Sequence, residues 1–198
     1  YISEQIWRQV IELKKVKPVV VSMGNVAASG GYYISCAANK IIAEPNTLTG
    51  SIGIFGMFPN ASGLFGKLAL TTDIVKTNTF SDLGDLSRPM TESEKALIQG
   101  YVERGYQTFL SRCAEGRGMT TEAVNAIGQG RVWTGEQAKE RGLVDELGGI
   151  ELAISTAAGL AGLDQYSVTT VSGSKNFLDE FLESQLGEVK LSIVKNVL

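Results

Sequence analysis

Residues 18–33 read Pro-Val-Val-Val-Ser-Met-Gly-Asn-Val-Ala-Ala-Ser-Gly-Gly-Tyr-Tyr, an apolar run followed by a turn of small residues. Val19 to Met23 is continuous, apolar and rich in β-branched residues, which is typical of a strand covered on both faces in a parallel sheet. The small residues that follow predict a tight turn carrying Ser29, with a helix beginning at Gly30. The segment therefore predicts a strand, a turn and a helix in succession.

Helices and strands alternate on both sides of this segment. Before it, apolar residues recur at helical spacing from Ile2 to Leu13, and Pro18 ends the predicted helix. After it, helices are predicted over 30–38, 62–70, 91–115, 120–127, 134–141 and 150–161, and strands over 40–43 and 71–76. Thr91 and Glu94 have the spacing of a capping box for the longest of these helices. This alternation predicts an α/β fold with a mostly parallel sheet flanked by helices.

We expect one domain over residues 1–165 and an extension over residues 166–198. The chain has 198 residues, of which 43% are hydrophobic, so it can bury a substantial core. Gln165–Val171 alternates like an edge strand, and apolar residues recur at helical spacing from Phe177 to Val197, which predicts a C-terminal helical arm. Because the chain begins with Tyr1 and enters a helix almost at once, we expect a fragment of a longer protein without its N-terminal strands.

Composition excludes several classes of function. The net charge is −3 and no basic stripe is present, so nucleic-acid binding is not expected. No apolar run approaches the roughly 18 residues that a membrane span requires. Cys36 and Cys113 lie in predicted helices without a CxxC or Cys/His pattern. We therefore expect buried free thiols, and neither a metal nor a cofactor.

Ser29 is the candidate nucleophile. A serine exposed between a strand and a helix suits nucleophilic attack, and the Gly30 N–H at the start of that helix could hold a developing oxyanion. The chain contains no histidine, so the base that activates Ser29 would be a desolvated lysine or a carboxylate. The alternative is structural, since the small residues around Ser29 would also let a helix pack closely on the sheet.

A glycine-rich apolar stretch, Thr49 to Gly56, is the candidate substrate-binding segment. Glycines admit close approach of another backbone, and large apolar side chains between them could shape a pocket for an extended peptide. The candidate residues are Gly50, Ser51, Ile52, Gly53, Ile54 and Phe55. The alternative is a tight turn with close packing.

Three motifs carry a resemblance to a known family. They are the segment 19–33, then Leu48-Thr49-Gly50-Ser51-Ile52-Gly53-Ile54, then Gly130-Arg131-Val132-Trp133-Thr134-Gly135-Glu136-Gln137-Ala138 with Gly142-Leu143-Val144-Asp145-Glu146-Leu147-Gly148-Gly149. With these motifs in order, residues 1–165 resemble the signal peptide peptidase A family, also called protease IV. The resemblance implies a ClpP/crotonase-like α/β fold and a serine–lysine dyad that cleaves signal peptides and other hydrophobic peptides. It also implies that Ser29 is the nucleophile and that Gly30 is one oxyanion donor.

The resemblance is to the long, two-domain members of that family. In short members a loop downstream of the serine supplies the lysine, whereas the comparable run here, Lys76 to Asp82, has Ser81 in its place. The family then implies that the N-terminal half of the same protein supplies the lysine, so we expect the isolated chain to be inactive. It further implies a homotetramer, anchored in the bacterial inner membrane by a segment outside this chain, with the catalytic domain on the periplasmic side.

Two other classes of function stay open. One is a crotonase-like acyl-CoA enzyme, in which backbone amides hold a thioester enolate and no serine nucleophile is needed. The other is a catalytically inactive module that binds peptides or assembles with partners. The absence of histidine excludes a Ser-His-Asp triad. Asp145 and Glu146 are interpreted as part of a structural turn.

Overall fold

The computed structural model describes residues 2–171 of the chain. Within that range the helices are α1 Ile2–Lys14, α2 Gly30–Ser35, α3 Ser62–Lys67, α4 Glu92–Arg117, α5 Thr121–Ile127, α6 Gly135–Glu140 and α7 Ile150–Leu160. The strands are β1 Val20–Met23, β2 Val26–Ala28, β3 Lys40–Ala43, β4 Leu48–Gly50, β5 Val132–Thr134 and β6 Glu146–Leu147. The helices predicted before residue 165 all form, with ends that differ by a few residues.

The strands pair mainly in parallel. β1, β3 and β6 form one parallel sheet, in which Val20 lies opposite Lys40. β2 pairs with β4 in parallel, and β5 joins β4 as an antiparallel strand. Helix α7 packs on β1 and β3, and α6 packs on β4 and β5. The predicted α/β fold, with a mostly parallel sheet flanked by helices, is confirmed.

Two predicted strands are wrong. Thr71–Lys76 forms neither helix nor strand, and Val75 within it is 98% exposed. Gln165–Val171 also has no regular structure. A β-branched or alternating run becomes a strand only where a neighbouring edge accepts its backbone hydrogen bonds. Neither run has such an edge among the described residues.

Helix α1 packs with a face different from the one its apolar spacing suggests. Trp7 is 6% exposed, and Val10 and Ile11 pack against the core beside it. Ile2 and Leu13, which share the predicted apolar spacing, are 74% and 42% exposed. The large indole therefore decides which side of the helix is buried, because an aromatic side chain removes more apolar area from water than a single aliphatic one.

The core joins α2 to α4 and to the turn before β6. Tyr32 is fully buried, and its hydroxyl donates to the carbonyl of Leu143 at 2.9 Å. Cys36 and Cys113 are free and buried, as predicted. Gly116 lies so close to the Cys36 carbonyl that a side chain there would clash with it. This close approach fixes α4 against the helix that follows Ser29.

The start of α4 is stabilised by the predicted capping box. The Glu94 N–H donates to the Thr91 hydroxyl at 3.3 Å, and the Thr91 N–H donates back to the Glu94 carboxylate at 2.7 Å. Arg88 also donates to that carboxylate at 2.6 Å. Hydrogen bonds led by the one from Arg88 lower the pKa of Glu94 to about 2. The carboxylate therefore stays ionised at the positive end of the α4 dipole.

The chain divides into two units, residues 1–164 and residues 165–198. All the helices and strands named above belong to the first unit. In the second unit, residues 165–171 contain neither helix nor strand. The predicted C-terminal helical arm falls in residues 172–198, outside the described part of the chain.

Candidate active site

Ser29 lies at a sharp bend between β2 and α2, and it is exposed. Its backbone has φ 53° and ψ −116°, a conformation that non-glycine residues rarely adopt. Its N–H donates to the Gly50 carbonyl at 2.9 Å, and its carbonyl accepts from the Tyr33 N–H at 2.9 Å. Bonds on both sides therefore hold the bend in place, and the serine is presented between a strand and a helix as predicted.

Gly30 begins α2, so its N–H has no partner four residues earlier within the helix. A Cβ at this position would lie 3.1 Å from the Ser3 hydroxyl oxygen. Glycine thus lets the first turn of α1 approach the backbone directly after Ser29. The Gly30 amide is therefore at the N-terminus of α2, directly after Ser29.

Gly50 and Ile52 of the candidate substrate segment have structural roles. Gly50 has φ +74°, and a Cβ there would lie 2.9 Å from Cδ1 of Trp133. The Ser51 N–H donates to the Arg131 carbonyl at 2.8 Å. Ile52 is 1% exposed and belongs to the core. The prediction that Ile52 shapes a substrate pocket is therefore wrong, because its side chain faces the core and lines neither cavity beside Ser29.

The second half of the segment is open. Gly53 and Ile54 line both cavities beside Ser29, and Phe55 is 90% exposed. Within residues 2–171, no backbone hydrogen bond uses the N–H or C=O of Gly53 or Ile54. An unpaired backbone next to an exposed serine is the arrangement that an extended peptide needs to add as a strand.

Two cavities open at Ser29. Cavity A, about 490 Å³, lies between Ser29, the first turn of α1 and the α4 residues Tyr101, Arg104 and Phe109. Cavity B, about 480 Å³, lies on the other side of Ile54 and is lined by Ser51, Phe55, Gly130 and the α4 residues Gln99, Glu103 and Tyr106. Each is large enough for several side chains of a bound peptide.

A charged cluster closes one end of cavity A. Arg112 donates to the two carboxylate oxygens of Glu4 at 2.7 and 3.2 Å. The Tyr33 hydroxyl donates to the same Glu4 carboxylate at 2.5 Å. The guanidinium of Arg112 also stacks 4.1 Å from the Trp7 ring centroid. Burial raises the pKa of Glu4, but hydrogen bonds led by those from Arg112 and Tyr33 outweigh burial and lower that pKa to about 2.

The same cluster acts on Tyr33, which lies on the helix that follows Ser29. Burial and the hydrogen bond to Glu4 raise the pKa of Tyr33 to about 12. The phenol therefore stays protonated across the physiological range and remains a donor to the Glu4 carboxylate. Through Tyr33, the first turn of α1 is tied to the helix that carries Ser29 at its start.

Comparison with known proteins assigns the chain to a family. The model of "Peptidase family S49" matches residues 11–164. The chain belongs to peptidase family S49. A relative named "Protease 4" from Salmonella typhi is 41% identical over 174 residues, covering 88% of this chain and 28% of the relative. A "Putative signal peptide peptidase SppA" from Enterococcus faecium is 37% identical over 188 residues, covering 94% of this chain and 54% of the relative. The S49 chain thus spans between about a quarter and just over half the length of these relatives.

Among solved structures, a ClpP1 mutant from Listeria monocytogenes aligns with 77% of the S49 chain and 87% of its own, with 15% identity and a TM-score of 0.41.

No lysine of residues 2–171 lines cavity A or cavity B of this S49 chain. The Lys40 amine lies 3.5 Å from a carboxylate oxygen of Asp145, and the Lys76 amine lies 3.0 Å from a carboxylate oxygen of Asp82. Ser81 interacts with the Thr77 hydroxyl and the Asn78 N–H in an exposed turn. The described part of the chain therefore presents a serine without a lysine next to it.

Asp145 has the structural role that its motif predicts. Its carboxylate accepts from the Ile41 N–H at 2.8 Å and from Arg117 at 3.0 Å. Burial raises the pKa of Asp145, but the hydrogen bonds from Arg117 and Ile41 and the nearby positive charges together outweigh burial and lower that pKa. The carboxylate joins β3 to the end of α4 and lines neither cavity.

Sequence reasoning missed the contribution of α4 to this S49 site. Arg104 and Tyr101 line cavity A from a helix whose sequence shows only apolar periodicity. One signal was present: Gly105 lies within the helix, and a Cβ there would lie 2.6 Å from Cδ1 of Ile54. An isolated glycine in a helix usually marks a close contact. Its partner, Ile54, could be identified only from the folded chain.

Proposed function

We propose that this chain supplies the nucleophile of a serine endopeptidase that acts on hydrophobic peptides through a serine–lysine dyad. The observation that carries the proposal is the position of Ser29. It is exposed at a strained bend, opens onto both cavities and lies beside the unpaired backbone of Gly53 and Ile54. Membership of a peptidase family also supports a peptidase function.

In this mechanism an extended peptide pairs with the backbone of residues 53–55 and places its scissile carbonyl at Ser29. The Ser29 Oγ attacks the carbonyl carbon while a lysine amine takes the hydroxyl proton. The Gly30 N–H donates to the oxyanion that forms, and a donor of this kind contributes about 3 kcal/mol. The lysine then gives its proton to the leaving amine, and water hydrolyses the acyl-enzyme by the same route.

We assign the lysine to the N-terminal half of the same protein, outside this chain. The support is that no described lysine lines either cavity. Burial of that lysine would lower its pKa enough for it to act as a base at neutral pH. We also propose signal peptides as the substrates, a homotetramer as the assembly, and attachment to the bacterial inner membrane with the catalytic side in the periplasm. Among the described residues, no helix is long and apolar enough to cross a membrane.

A fluorophosphonate probe followed by intact-mass analysis tests the proposal. The probe is applied to this 198-residue chain, to the full-length protein and to full-length Ser29→Ala. We expect one adduct on the full-length protein, none on Ser29→Ala and none on the isolated chain. An adduct on the isolated chain would contradict the split dyad. No adduct on any sample would favour the inactive peptide-binding module, and turnover of an acyl-CoA thioester would favour the crotonase-like enzyme.

A further inference from the structure

The guanidinium of Arg104 is an unpaired charge in cavity A. Among the described residues, no hydrogen bond and no ion pair involves its side chain. Side chains on a helix lean toward its N-terminus, which brings Arg104 over the preceding turn of α4. Gly100 occupies that turn, and a Cβ there would lie 3.3 Å from Nη1 of Arg104. Because Gly100 has no side chain, the Arg104 guanidinium can lie over this turn and beside cavity A.

The other charged group of cavity A is already neutralised. Glu4 accepts hydrogen bonds from Arg112, Arg8 and Tyr33. Two guanidinium groups therefore face one carboxylate, so Glu4 cannot also compensate Arg104. The rest of the lining includes Phe109, Tyr33 and Ile54. Cavity A thus combines an apolar wall with one uncompensated positive charge.

Cavity B has the opposite charge. Glu103, the residue before Arg104, lines it, and Gln99 donates to the Glu103 carboxylate at 2.8 Å. Ile54 separates the two cavities and contacts α4 at Gly105. Consecutive residues of one helix therefore give the two sides of the site different charges.

We propose that cavity A binds a carboxylate of an otherwise apolar peptide and that Arg104 is the residue that determines this specificity. The carboxylate belongs either to an acidic side chain or to the C-terminus of the peptide, and the guanidinium donates to either one. Glu103 disfavours the same group in cavity B, so the charges also set the direction in which the peptide lies. The proposal rests on the proposed function for the peptide's role as substrate, but binding itself does not require Ser29 to react.

The test measures binding by fluorescence anisotropy to full-length Ser29→Ala, which cannot cleave the peptide. The probes are apolar peptides with a central Gln or Glu and an amidated C-terminus, and the Gln peptide with a free C-terminal carboxylate. We expect at least one carboxylate to tighten binding by about twofold to fivefold relative to the neutral peptide. The gain should shrink between about 50 mM and about 500 mM salt, because Arg104 is exposed.

Two variants identify the residue responsible. Arg104→Gln should abolish the gain. Lys95→Gln removes the same charge from the same helix, but Lys95 pairs with Glu92 and lies nine residues away, about 14 Å along the axis. It should retain the gain. Equal binding of all the peptides, no binding at all, or a gain that survives in Arg104→Gln would overturn the inference.

Cleavage is measured separately with unsubstituted Ser29. A protein that shows the Arg104-dependent gain but cleaves none of the peptides would retain this inference and lose the proposed function. Equal binding of all the peptides together with cleavage of all of them at equal efficiency would retain the proposed function and overturn this inference.

Discussion

Replacing Glu4 with glutamine should destabilise the protein by about 2 to 3 kcal/mol at neutral pH. The side chain of Glu4 is 23% exposed and accepts charge-assisted hydrogen bonds from Arg112 and Arg8. Its pKa falls from 4.5 to about 2 in the folded protein. Each unit corresponds to about 1.4 kcal/mol, so the ionised carboxylate contributes up to about 3 kcal/mol. Glutamine keeps the shape but loses the charge.

The pH dependence follows from the direction of the shift. A carboxylate with a lowered pKa stabilises the fold fully above its ordinary pKa of 4.5, and this contribution is lost as the pH falls toward about 2. Urea denaturation of both proteins at about pH 7, about pH 5 and about pH 3 measures the effect. The difference in unfolding free energy should be largest at the first two values and clearly smaller at the third.

The matched control is Glu12→Gln on the same helix. Glu12 pairs with Lys15 at 2.7 Å, and both side chains are 62% exposed. Because exposed pairs contribute little, this variant should cost less than about 0.5 kcal/mol. Equal losses for Glu4→Gln and Glu12→Gln, or a Glu4→Gln loss that does not change between about pH 7 and about pH 3, would refute the argument from the Glu4 cluster.

Two further predictions concern the backbone of the site. Ser29 has φ 53°, so the Ser29→Gly variant should be more stable than the Ser29→Ala variant by about 1 kcal/mol. Thermal denaturation measures this difference, and the opposite order would contradict the strain assigned to the bend. A Cβ at Gly53 would lie 2.7 Å from the Gly130 backbone nitrogen, so Gly53→Ala should cost about 1 to 3 kcal/mol in urea denaturation. The control is Gly159 in α7, where a Cβ would have nothing within 4 Å, so Gly159→Ala should instead stabilise the protein by about 0.5 to 1 kcal/mol. Similar losses of stability for Gly53→Ala and Gly159→Ala would show that the contact with Gly130 is not the cause.

Local patterns were enough to predict the elements on which the site is built. The apolar run before Ser29, the small residues around it and the capping box at Thr91 each act within a few residues, and the structure contains the strand, bend and helix starts they predict. These features depend on backbone conformation and short-range hydrogen bonds. The short strands β2, β4, β5 and β6 were missed because two or three residues show no periodicity.

The surroundings of Ser29 depend on contacts between residues far apart in the chain. Glu4 and Arg112 are 108 residues apart and meet beside Tyr33. The sequence alone predicted Ser29 as the nucleophile, Gly30 as an oxyanion donor and residues 50–55 as the substrate-binding segment. Only the tertiary structure showed that Ile52 faces the core while Ile54 separates two cavities. Which side of a segment is buried, and which charge finds a partner, is decided by the packing of distant elements, and no local pattern contains that information.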